Sequence, residues 1–276
     1  MLDSLIHKIV KRHRKKPGGE KDAFKARLLE FQIGPYAWLI DLPARIFFGS
    51  DLKMLATIYG TDKWNHHWLA QHYQELLSGI RRRRINFLEI GVGGDENPRD
   101  GGKSLRMWRA FFPKARIYGI DINDKRPHDR GRIRTFKGSQ ADAGFLDAVV
   151  QEIGRIDVIL DDGSHLNSHM IFTFQRLFPH LAAGGYYIVE DTQTSYWPGF
   201  FEGQETDRND PATAMGYFKS LADGLNWREF KNRYTPNYFD LHIESIAFYH
   251  NMLVIRKKAE GEVSQLQAET ASGASA

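Results

Sequence analysis

Two acidic clusters stand out as groups that could do chemistry: Asp161-Asp162-Gly163-Ser164-His165 and Glu190-Asp191. Each follows an apolar, strand-length run, at 156–160 and 186–189. Open parallel sheets bind ligands beyond the carboxyl ends of their strands, so the two clusters are expected to converge on one crevice. Carboxylates gathered there repel one another unless a cation neutralises them. Oxygen donors without sulfur suit a hard ion, Mg²⁺ or Mn²⁺, better than zinc. Asp162, Glu190 and Asp191 are therefore the candidate metal ligands; the competing reading is that some of these acids cap the helices that follow. His165, three residues after Asp162, is the candidate general base, because an imidazole accepts protons near neutral pH. A metal there would acidify a substrate hydroxyl and hold it in line for reaction. Asp161 is expected to face the cationic end of a cofactor.

Upstream, Phe87-Leu88-Glu89-Ile90-Gly91-Val92-Gly93-Gly94 carries a strand into a glycine-rich turn. Glycines serve where backbone must approach a ligand closely and adopt positive φ. The dinucleotide fingerprint Gly-x-Gly-x-x-Gly fails at its sixth position, which is Glu96, and leaves Glu-x-Gly-x-Gly. Asp121 ends the next strand, in Tyr-Gly-Ile-Asp-Ile, where a carboxylate can accept both hydroxyls of a ribose. Further on, Gly138-Ser139-Gln140-Ala141-Asp142 follows the third strand.

The elements that must position these residues begin at Ile85. Strand-length runs at 85–90, 116–122, 132–136, 156–160 and 186–189 alternate with helical candidates at 104–112, 142–153 and 167–181. Such alternation predicts an α/β fold, a doubly wound, mostly parallel sheet covered on both faces. Runs at 241–249 and 251–256, separated only by His250, predict a hairpin at one edge. Four segments result. A basic arm covers 1–20 and a helical extension or lid covers 21–84, where Leu69, Tyr73, Leu76, Leu77 and Ile80 have helical spacing. The sheet domain covers 85–258, and a polar tail at 259–276 is expected to be disordered.

In order along the chain, Tyr59-Gly60-Thr61-Asp62-Lys63, Phe87–Gly94, Gly101-Gly102-Lys103-Ser104-Leu105-Arg106-Met107-Trp108, Asp161–His165 and Glu190-Asp191 resemble the macrocin/mycinamicin sugar O-methyltransferase family. The resemblance extends to actinobacterial enzymes of similar size that methylate mannosides in polymethylated polysaccharides. It implies a class I methyltransferase fold, homo-oligomers, S-adenosylmethionine as cofactor, Mg²⁺ (or Mn²⁺) on Asp162, Glu190 and Asp191, and His165 as the base. By the same resemblance Glu89, Gly91 and Gly93 hold the methionine portion of the cofactor, Gln140 and Asp142 lie where the family reads adenine, and Ser104 and Asp161 join the cofactor-binding candidates. The implied acceptor is a sugar hydroxyl. Trp197, Phe200 and Phe201 follow Asp191; an aromatic loop there suits the apolar C–H face of a sugar, and equally suits packing the loop down.

Composition bounds the alternatives. The 276 residues contain no cysteine, which removes disulfides and thiolate chemistry and agrees with a reducing, cytoplasmic setting. No run is long enough to cross a bilayer, and the first residues lack a signal-peptide pattern. The net charge of +4 is concentrated in 11–16 and Arg81–Arg84; these read as a solvated tail and a helix end, or as a contact for an anionic surface. A nucleic-acid-binding role for the basic arm is weakened by the lack of interleaved aromatics. The alternative enzyme is a metal-dependent O-methyltransferase of catechols or other small diols; a catechol enzyme would carry lysine where His165 stands.

Overall fold

In the computed structural model, residues 33–262 are described. The basic arm at 1–20 and most of the expected tail lie outside them; of that tail, only its first residues are described, and 260–262 are helical. Contacts divide the chain after Pro43 into two compact units. Of the first, residues 33–43 are described, and they enter helix α1 (Trp38–Phe48).

The second unit, from Ala44 onward, takes in 44–84 together with the sheet. Helix α2 (Leu52–Tyr59) is capped by Asp51, whose side chain accepts from Met54 N, and stops at Gly60 in the left-handed region. After a short turn comes α3 (Ala70–Leu77). The sheet then alternates with helices: β1 (Asn86–Ile90), α4 (Lys103–Phe111), β2 (Arg116–Asp121), β3 (Ile133–Lys137), α5 (Ala143–Ile153), β4 (Ile156–Asp161), α6 (Asn167–Leu177) and β5 (Leu181–Glu190). Helices α7 (Ala214–Gly224) and α8 (Tyr238–His242) precede the hairpin β6 (Ile243–Tyr249) and β7 (Met252–Lys257).

The strand order is β3-β2-β1-β4-β5-β7-β6. β1 to β5 are mutually parallel, and β7 and β6 close the edge antiparallel. The doubly wound sheet and its edge hairpin are thus as the sequence predicts. Strand β5 runs from Leu181, longer than the 186–189 run, because the chain leaving α6 turns straight into it through Phe178–His180.

Period-two alternation sorts the strand residues between two cores. Leu88, Ile90, Ile159, Tyr187 and Val189 join Leu146, Met170, Phe174 and Phe218 of α5, α6 and α7 in one buried cluster. On the opposite face Trp108 of α4 stacks on Phe87, with ring centroids 4.9 Å apart, and Tyr73 of α3 meets Trp108 edge-on at 5.0 Å. Glu89 shares the face of Phe87, and the same alternation points Asp161 toward α6. The crossing from β1 to β2 on one side and to β4 on the other makes the switch point where such sheets bind ligands.

Candidate active site

At the switch point, backbone pairing continues one residue beyond the strands. Gly91 N donates to Ile120 O at 2.8 Å and Asp162 N to Ile90 O at 2.9 Å. Gly91 has φ +90°, and a Cβ there would stand 2.0 Å from the carbonyl oxygen of Asp162. Only glycine lets these two loops touch. Asp121, at the end of β2, accepts from Val92 N at 3.1 Å and from Asn123 N at 2.8 Å. The long turn into α4 is tied down by buried Lys125, whose Nζ donates to the carbonyls of Asp95, Asn97 and Asp100 at 2.8, 2.9 and 3.2 Å. Ser104, in the first turn of α4, lies beside Glu89.

Glu89 is wholly buried beside Ser104, Trp108 and the Lys63 ammonium. Burial, opposed by the Lys63 charge, pushes its carboxyl up to about 7. Lys63 is wholly buried too. Its Nζ donates to Asp162 Oδ2 at 2.8 Å and to Glu190 Oε1 at 2.6 Å, and lies 3.8 Å from Glu89 Oε1. Burial alone would lower the pKa of this ammonium, but Asp162, Glu190 and Glu89 together raise it well above the usual lysine range. The Tyr73 hydroxyl donates to the same Glu190 oxygen. Burial, with repulsion from Asp162, pushes Glu190 up to about 8 despite both donors.

Asp162, His165 and Asp191 each offer a ligand atom, and those atoms lie within 4.8 Å of one another. His165 Nε2 is 3.4 Å from Asp191 Oδ2, and His67 Nδ1 is 3.9 Å from Asp191 Oδ1. His165 and Asp191 sit at φ +58° and +53°, where side chains other than glycine are strained. Both are held there by the loops that aim them into the crevice, a cost of about 1–3 kcal/mol each that functional sites commonly carry.

The sequence candidates therefore divide. Asp162, His165 and Asp191 come together, with Glu89 and Gly91 beside them. Glu190 reaches the same crevice, but its Oε1 belongs to Lys63 and Tyr73. Asp161 is buried and accepts from Gln140 Nε2 at 3.1 and 3.3 Å and from Gly163 N at 3.3 Å. Burial raises it to about 7, against those bonds. Gln140 also donates to Thr173 Oγ1 and accepts from Ser164 N, so its amide braces the loop after β4. Asp142 caps α5 by accepting from Phe145 N at 3.1 Å. Lys63 is the group that reading residues by type missed. A lysine on a short turn reads as solvated, and its segment stood out only through the resemblance at Tyr59–Lys63. Tyr73, with Tyr59, His66 and His67, is expected from the sequence only to close the site from the N-terminal side, with no role assigned to any one of them.

Beyond Asp191, the aromatic loop is held by its backbone. Buried Asn167 donates to Thr194 O at 3.2 Å and Phe201 O at 2.6 Å, and accepts from Ser195 Oγ at 2.9 Å and Ala214 N at 2.6 Å. Trp197 and Phe200 remain exposed, at 48% and 74%.

No protein-family model matches the chain. It is 43% identical over 216 residues to a mycinamicin VI 2''-O-methyltransferase of Micromonospora griseorubida, covering 77% of this chain and 54% of that protein. It is 39% identical over 224 residues to an 8-demethyl-8-alpha-L-rhamnosyl tetracenomycin-C 2'-O-methyltransferase of Streptomyces olivaceus, covering 79% and 58%. The chain thus spans about half the length of these curated relatives. Among solved structures it superposes on the MycE methyltransferase of the mycinamycin biosynthetic pathway in complex with Mg and SAH, with a TM-score of 0.73 and 42% identity over 76% of this chain and 54% of that one.

Proposed function

We propose, on the premise that the aligned three-quarters of the chain belongs to the macrocin/mycinamicin-type sugar O-methyltransferase family with its class I methyltransferase fold, that the protein moves a methyl group from S-adenosylmethionine to a hydroxyl of a glycoside or oligosaccharide. The observation that carries this reading is the cluster of Asp162, His165 and Asp191 beside the Gly91 turn. The contact between Gly91 and Asp162 supports it, since an imidazole and two carboxylates then lie near the glycine-rich turn and buried Glu89.

The residues fit both S-adenosylmethionine and a divalent cation. The buried Glu89 carboxyl suits a cationic ligand portion, Asp121 suits a ribose, and Gly93, whose Cβ position is nearly open, leaves room for close backbone approach, with Ser104 beside Glu89. Hard carboxylate oxygens suit Mg²⁺ or Mn²⁺, held by Asp162 and Asp191 with Glu190 at their side. Such an ion, when bound, would acidify the acceptor hydroxyl. His165 would take the hydroxyl proton as the oxygen attacks the methyl carbon. S-adenosylmethionine would supply the methyl group, its C–S bond breaking as the new C–O bond forms and leaving a neutral thioether. Asp191 orients the imidazole, and exposed Trp197 and Phe200 offer apolar faces to a sugar ring. A catechol enzyme would carry its lysine where His165 stands, and Lys63 lies instead on the turn between α2 and α3. The grouping of His165 with the two aspartates supports a second reading, in which His165 itself ligates the ion.

We extend the reading to a cytoplasmic homo-oligomer, as the resemblance implies. Among the described residues, no helix is long and apolar enough to cross a membrane. The test is a labelled-methyl transfer assay over a panel of glycosides and catechols. Transfer to a glycoside should stop with EDTA and return with Mg²⁺ or Mn²⁺. Undiminished transfer after exhaustive chelation would remove the ion from the reaction, and transfer to catechols alone would overturn the sugar.

A further inference from the structure

The proposed metal site has outer partners that come from the N-terminal side of the unit, not from the sheet. Lys63 is wholly buried, yet it sits on a turn of only ten residues between α2 and α3. Its own backbone is fixed: its carbonyl accepts from Leu69 N at 3.0 Å and Ala70 N at 2.8 Å, where α3 begins. The ammonium therefore enters from a rigid support. It meets one oxygen each of Asp162 and Glu190, from the ends of β4 and β5, and approaches Glu89 of β1. Tyr73, one turn into α3, reaches the Glu190 oxygen that Lys63 also holds. A wholly buried lysine is rare unless paired, and here three strand-borne acids share one ammonium.

We propose that Lys63 and Tyr73 are positioning residues for the cation site: they grip one oxygen of Asp162 and of Glu190 and so fix how those carboxylates meet a divalent ion. The inference rests on the metal-assisted reading given above. It makes the turn after Gly60 an integral part of the site, not a cover over it. Because the same ammonium approaches Glu89, cation and cofactor carboxylates share one fixed positive charge. Partners of this kind typically alter metal affinity or activity about 10–100-fold when removed.

The test is Mn²⁺ titration of the full chain, read as free Mn²⁺ by electron paramagnetic resonance, for wild type, Tyr73→Phe and Lys63→Met, with melting temperatures alongside. Tyr73→Phe keeps the ring against Trp108 and loses only the hydroxyl, so it should fold. It should weaken Mn²⁺ binding by about tenfold, and Lys63→Met should weaken it further. The Mn²⁺ concentration for half-maximal methyl transfer should rise in parallel, with more of kcat recovered at saturating Mn²⁺. A folded Tyr73→Phe that binds Mn²⁺ as tightly as wild type, or more tightly, overturns the inference even if Lys63→Met fails to fold. Wild-type protein that takes up no Mn²⁺ would sink the metal-assisted reading itself, and this inference with it.

Discussion

His165 carries the most weight of any single residue, because two roles converge on it. Its Nε2 lies 3.4 Å from Asp191 Oδ2, close enough to be oriented by that carboxylate, yet within the same cluster that could hold an ion. The two roles separate on replacement. As the base, His165→Ala should lose about 10²-fold or more in kcat while binding Mn²⁺ and cofactor as wild type does. Calorimetric Mn²⁺ affinity falling with kcat would make it a ligand instead. The backbone also has a say, since a left-handed φ of +58° persists in the alanine variant and keeps its strain. At this scale the sequence was legible where acids and histidine cluster at strand ends. It was illegible at Lys63, where burial comes from the way α2 and α3 fold back over the sheet and not from any neighbouring residue type.

Elements set which of these residues meet. The β1 and β4 loops touch at Gly91 and Asp162, and that contact joins the glycine-rich turn to the carboxylate cluster. Gly91→Ala places a methyl group where a carbonyl oxygen already stands, in a conformation that alanine disfavours. It should cost about 2 kcal/mol or more of stability and weaken cofactor binding together, measured by thermal melts and calorimetry on one sample. Unchanged cofactor affinity would show that the loops part without consequence. The strands and helices from β1 to α6 were readable because apolar period and glycine punctuation agree. Gln140 and Asp142 fared differently. Their place after β3 is as expected, but the amide of Gln140 goes to Asp161 and Ser164, and the carboxylate of Asp142 to a helix cap. Position along a strand end says which residues are near a site, and only packing says which of them turn inward to brace it.

For the molecule as a whole, burying acids at the crevice has a cost that depends on pH. Glu89 is raised from an ordinary 4.5 to about 7, chiefly by burial. Below about pH 4.5 it is protonated folded or unfolded. As pH climbs toward 7 the unfolded chain releases this proton while the folded chain retains it, so stability falls by up to about 1.4 kcal/mol per pH unit over that window. Glu89→Gln should remove this slope, so that its melting temperature gains on wild type between pH 5 and pH 8, while its affinity for S-adenosylmethionine drops. Parallel melting curves across that range would mean that Glu89 is not held protonated by the fold.

Asn167 fastens the aromatic loop through main-chain carbonyls and a serine hydroxyl, and none of its bonds uses Trp197 or Phe200. The two exposed rings pack on Phe201 of the same loop, at 5.7 and 5.2 Å between centroids, and lie outside the bonds that Asn167 makes. On the proposed function, replacing either one should change what the rim offers to an incoming sugar and leave the carboxylates, the imidazole and the glycine-rich turn in place. On the proposed function, such an arrangement should let acceptor preference change by single substitutions while methyl transfer itself persists. It also gives anyone redirecting the scaffold two positions at which to begin.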